Sequence, residues 1–139
     1  MRTVRLSAVG LLALALLVCM TVPPAAAQGR TPLDAYKAYL EAASKATAPD
    51  ALFPFISQEY KTLLQKAPKA EVDKMLKMSI AKQKLTDLAV TKQQADASKA
   101  VLELMAMTGD GRPTTGKATM VKEGGAWKLD EDAWATPTR

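Results

Sequence analysis

Gly116 to Trp134 reads GKATMVKEGGAWKLDEDAW, and Gly124-Gly125 divides it into two runs of alternating polarity. Glycine reaches the positive φ that a two-residue loop demands, so this stretch predicts a β-hairpin whose register can be written down. Glu123 faces Ala126, Lys122 faces Trp127, Val121 faces Lys128, Met120 faces Leu129 and Thr119 faces Asp130. Side chains alternate across a strand, which puts Ala118, Met120, Trp127 and Leu129 on one face with the Lys122 stem beside Trp127. That face needs a cover, and Trp127 is expected to contribute most from the sheet. The other face, with Thr119, Val121, Glu123, Lys128 and Asp130, reads as solvated.

Upstream of the hairpin the period is also two. Leu85 to Gln94 predicts a first strand with Leu88 and Val90 on one face, and Asp96 to Ser98 is a turn. Lys99 to Thr108 predicts a second strand, with Ala100, Leu102, Leu104 and Ala106 on one face and Val101, Glu103, Met105 and Met107 on the other. Gly109 to Pro113 is a loop of turn formers, with Gly116 beside it.

Before Leu85 the period is helical. Thr31 is a good N-cap, Pro32 suits the first helical position, and Asp34 meets the free amides of the first turn. That helix is expected to run to about Ala46, with Leu33, Tyr36, Leu40 and Ala43 as its apolar stripe and Tyr39 on the shoulder. Ala48 to Ala67 reads as two short pieces around Pro54, the first with Leu52, Phe53, Phe55 and Ile56 closing the core, the second capped by Ser57. A third helix is expected from Pro68 to Lys82, apolar at Val72, Met75, Leu76 and Ile80. Its wet side is basic.

The first 27 residues read as an export leader: Arg2 and Arg5, an apolar run from Val9 to Val22, and Ala25-Ala26-Ala27 before a cut at Gln28. The apolar run is short for an uncleaved membrane anchor. Lipoprotein processing at Cys19 is disfavoured by the branched Val18 before it. Removing 27 of the 139 residues leaves 112, enough for one small domain, and takes the single cysteine and two of the 19 basic residues with it. The remaining chain has neither cysteine nor histidine, so thiolate chemistry, disulfides and imidazole catalysis are excluded. Its net charge falls from +5 to +3, too little to argue for nucleic acid. The division expected is leader 1–27, a disordered start 28–30, one domain 31–135 and a tail 136–139.

Helices followed by hairpin-linked strands predict an α+β domain, about three helices packed on one face of a four-stranded antiparallel sheet. The Thr31-Pro32 cap, the Leu52 to Tyr60 segment, the lysine-rich third helix, Gly116 to Glu123 and Trp127-Lys128-Leu129-Asp130 together resemble small exported bacterial proteins of the nuclear transport factor 2-like, or cystatin-like, superfamily. The resemblance implies a bent sheet enclosing a conical cavity, and a homodimer through the outer sheet face. It carries over no catalytic residue.

Several site candidates follow. Ligand-cavity candidates are Tyr36, Tyr39, Leu40, Phe53, Tyr60, Leu102, Leu104, Met120 and Trp127. Interface candidates are Val101, Met105, Met107 and Val121, four apolar side chains on the wet face, with a fold-back of the Gly109 to Pro113 loop or of the C-terminal tail with Trp134 as the alternative cover. Lys69, Lys74 and Lys77, with Lys66, Lys82 and Lys84, form a basic face for an anionic membrane surface or acidic partner, or a plain solubilising face. Asp130-Glu131-Asp132 reads as a solvated acidic end, with no metal or cofactor implied. The expected role is a non-enzymatic envelope module binding a small apolar ligand or an envelope protein. The alternative is a ketosteroid isomerase-like or cyclase-like enzyme using a cavity acid and a tyrosine.

Overall fold

A computed structural model describes residues 31–135, and the expected leader, start and tail lie outside the described residues. Helix α1, Pro32–Lys45, is capped by Thr31, whose hydroxyl accepts from the Asp34 amide at 3.1 Å. Its buried residues are Pro32, Ala35, Tyr36, Tyr39 and Ala43, while Leu33 and Leu40 are half-buried. The stripe is thus rotated from the expected one, and Tyr39 sits inside it.

A 3-10 turn, Pro49–Leu52, buries Leu52. Helix α2, Gln58–Lys66, starts at Ser57, whose hydroxyl accepts from the Tyr60 amide at 3.0 Å. The expected third helix is two elements. Helix α3, Lys69–Met78, ends at Ser79, and a second 3-10 turn, Ile80–Gln83, follows. The break turns Lys82 back toward α1, where its ammonium donates to the carbonyls of Ser44 at 2.9 Å and Ala46 at 2.7 Å. A cation there satisfies carbonyls that the last helical turn leaves open. Among the described residues no helix is long and apolar enough to cross a membrane.

Four strands follow, β1 Thr86–Ala95, β2 Lys99–Met107, β3 Pro113–Glu123 and β4 Ala126–Trp134, in one open antiparallel sheet of order β1-β2-β3-β4. Gly124 and Gly125 have φ of 58° and 81°, the positive values a two-residue hairpin requires. The register agrees with the sequence from Glu123↔Ala126 to Met120↔Leu129. It then slips. Thr119 pairs with Glu131 instead of Asp130, and Ala118 with Asp132. Asp130 is the extra residue of a β-bulge, and the strand residues after it, Glu131 to Trp134, exchange faces relative to unbroken alternation.

The core lies between α1 and the inner sheet face, centred on Tyr36, Leu102, Leu104, Met120 and Leu129, each nearly or fully buried. Trp127 is half-buried, with the Lys122 ammonium 5.7 Å from its ring. The buried centre is therefore Tyr36 with the β2–β4 side chains, and Trp127 covers its edge. Gly116 is not beside a loop but within β3, between Leu104 and Trp134. A Cβ there would stand 2.5 Å from the Trp134 ring, so the absent side chain is what lets the indole lie flat on the strand.

Candidate functional site

The expected cavity inside the sheet is filled. Leu102, Leu104 and Met120 are core side chains, Tyr36 is fully buried behind them, and Trp127 and Phe53 pack at the periphery, Phe53 under the Lys61 ammonium at 4.8 Å. Leu40 borders a separate cleft of about 450 Å³ with Lys37, Lys84 and Leu88. The larger opening lies elsewhere. A cleft of about 660 Å³ runs between α1, the two 3-10 turns, α2, α3 and the end of β4. Of the nine cavity candidates, Tyr39 and Tyr60 line it.

The cleft walls are mostly apolar. Leu52, Leu64, Val72, Leu76 and Ile80 lie along it, and Met75, 50% exposed, and Met78, 68% exposed, stand at its mouth. Unbranched, polarisable methionine side chains at an opening adapt to different shapes. The one buried side-chain polar atom without a hydrogen-bond partner among the described residues, Ser79 Oγ, belongs to a residue of the same lining.

One end of the cleft is polar. The bulge at Asp130 turns Asp132 and Trp134 inward, and both line the cleft. Trp134 Nε1–H donates to the Tyr36 hydroxyl at 2.9 Å, and that hydroxyl donates to Asp132 Oδ2 at 3.3 Å. Burial pushes the Asp132 carboxyl above the usual carboxylate range; the Tyr36 hydrogen bond works the other way, and neighbouring Glu131 adds to the rise. Burial, then the Asp132 charge, also holds the Tyr36, Tyr39 and Tyr60 hydroxyls neutral to high pH. The rings of Tyr36 and Tyr39 stack with centroids 6.0 Å apart. The acidic end is therefore not uniformly solvated: Asp130 accepts from Ser57 Oγ at 2.7 Å, Glu131 is exposed, and Asp132 faces the cleft.

The remaining candidates lie apart from the cleft, Lys74 excepted. On the outer sheet face, Val101 pairs with Thr119 and Lys99 with Val121, while Met105 pairs with Thr115 and Met107 with Pro113. The row Lys92, Glu103, Lys117 crosses between these two apolar spots, with Lys92 and Glu103 3.8 Å apart. Trp134 points to the helices and does not cover this face. Lys69, Lys74 and Lys77 are exposed on α3, and Lys74 borders the cleft, but Lys82 is committed to the end of α1.

No family model matches this chain, and no curated protein matches it. A solved structure that aligns is the solution structure of a SEC-C motif containing protein from Rhodopseudomonas palustris, at 17% identity and a TM-score of 0.47, covering 80% of this chain and 81% of that one. The resemblance to the nuclear transport factor 2-like, or cystatin-like, superfamily is accordingly corrected: no family model supports it. The physical counterpart is visible in the fold. α1 side chains fill the inner sheet face, and the cleft opens between helices beyond the end of β4. What stands is an α+β domain, three helices packed with an open four-stranded antiparallel sheet.

Proposed function

We propose that this is an exported domain that binds a small apolar ligand without transforming it. The observation that carries the proposal is the cleft of about 660 Å³ with its aliphatic walls and exposed methionines. Ligand sites are concave, about 300–1,000 Å³, mostly apolar, and carry few polar groups. Export rests on the sequence of residues 1–27, a basic start, an apolar run and small residues at the expected cut.

Asp132 favours a second reading, an enzyme using a cavity acid and a tyrosine. Its carboxyl is desolvated and its neighbours are phenols, the vocabulary of proton transfer next to a carbonyl. The arrangement supports binding better. The nearest phenol, Tyr36, is fully buried and already donates to Asp132, and the other carboxylate along the cleft, Glu71, is exposed on α3.

Titration of the folded domain with 1-octanol, followed by amide chemical shifts in two-dimensional NMR, tests the binding reading. The expected result is saturable shifts confined to residues 39–52, 60–83 and 132–135, reduced by Leu64→Arg. Shifts that are absent, or spread evenly over the sheet, overturn it.

A further inference from the structure

Asp132 is a desolvated carboxyl set among aromatic rings, with no ion-pair partner among the described residues. The ion pairs among the described residues are Lys45–Glu41, Lys92–Glu103 and Arg112–Asp110, none of which involves it. Its one side-chain hydrogen-bond partner there is Tyr36, on a single oxygen. Around it stand Tyr39 and Tyr60, whose hydroxyls feel its charge, and Trp134, which lines the same end of the cleft. A carboxylate withdrawn from water without a positive partner is costly, and electron-rich ring faces attract a cation and repel an anion. The charges at the α3 rim, Glu71 and Lys74, are opposite in sign and exposed, so Asp132 sets the sign of the inner end.

From this geometry we infer that the cleft takes an organic cation: an ammonium group seated between Asp132 and the rings of Tyr39, Tyr60 and Trp134, with an apolar body lying along Leu52, Leu64, Val72 and Leu76. This rests on the binding reading above and names its ligand class. The occupant supplies the positive charge that the described residues do not place there. The relay from Trp134 through Tyr36 fixes Asp132 Oδ2 and leaves the other oxygen for the ligand.

Binding should depend on pH in a defined direction. The groups facing Asp132 are Tyr36 and Tyr39 from α1, Tyr60 from α2 and Glu131 beside it on β4, with Glu71 and Lys74 on α3 at the rim. The three tyrosines are held neutral to high pH and do not titrate in the acid range. A permanently charged ligand should be lost as pH falls through the raised Asp132 value, earlier than for an ordinary carboxylate.

Three probes with one chain length separate the possibilities: octyltrimethylammonium, 1-octanol and octanoate, titrated by NMR into the whole domain. Octyltrimethylammonium should bind roughly tenfold or more tighter than 1-octanol at neutral pH, the scale of a desolvated cation–π and ion-pair contact. Octanoate should bind weakest. Asp132→Asn should bring the ammonium to the affinity that the alcohol has for the same variant. In the parent chain, which needs no substitution, ammonium affinity should fall on acidification while alcohol affinity holds. If 1-octanol binds but the ammonium binds no tighter, or its advantage survives acidification or Asp132→Asn, the inference is overturned and the binding reading stands. If no probe perturbs the cleft, the binding reading fails and the inference with it.

Discussion

Asp132 ties stability to pH with a sign that can be worked out without knowing the ligand. Its pKa is raised in the folded chain, chiefly by burial, so the folded state holds this proton more tightly than the unfolded state. The resulting stabilisation is complete below the ordinary carboxylate pKa and is lost as pH rises through the raised value. Asp132→Asn keeps an oxygen to accept from Tyr36 and removes the charge. The variant should therefore gain on the parent between roughly pH 4, near the unperturbed carboxylate value, and neutrality. Urea midpoints measured at both ends check this. An equal loss at both would mean that the carboxylate is needed for packing and that its desolvation is not the governing effect.

At the scale of elements, what was legible was local. Thr31 and Ser57 cap helices through their own hydroxyls, Gly124-Gly125 turns the hairpin, and Asp96 closes the β1–β2 turn by accepting from the Ser98 and Lys99 amides. Each device acts within a few residues, so sequence displays it. The bulge at Asp130 was not legible from alternation, which placed Leu129 and Glu131 on one face and Asp130 and Asp132 on the other. One extra residue turns Asp132 and Trp134 inward and creates the polar end of the cleft. A signal was present: unbroken alternation would expose Trp134 on a face with Lys128, an unfavourable place for an indole. The end of α3 at Ser79 carries neither proline nor glycine, and it is set by tertiary packing, with Lys82 reaching α1. Gly116 gives an element-scale prediction. Gly116→Ala forces the Trp134 ring off β3 and breaks its donation to Tyr36, at a cost of about 1–3 kcal/mol, the range for overpacking a core. A denaturant midpoint unchanged in this variant would show that the indole has room to move.

Across the whole molecule, the cleft is a seam between parts held to different degrees. The sheet and α1 share the continuous core, whereas α3 buries only Val72, packs mainly against the two 3-10 turns and leaves Met75 and Met78 exposed. A helix with so little buried surface opens locally at low free energy, so in the free domain α3 amides should exchange with solvent faster than those of α1. Val72, Met75 and Leu76 line the cleft, and opening α3 dismantles the site. A ligand that binds the closed cleft must then slow α3 exchange by the factor one plus its concentration over its dissociation constant, about tenfold when it is present at ten times that constant. Residues 91–95, exposed at the far end of β1, are remote from the cleft lining and open without disturbing it, so their exchange should not change. Hydrogen exchange read by NMR with and without octyltrimethylammonium measures both segments in one experiment. Slowed exchange in 69–78 with 91–95 unaltered is the expected pattern. Unchanged exchange in 69–78 while the probe is bound would mean that α3 opens with the ligand in place, and that Asp132 and the rings hold it without the helix.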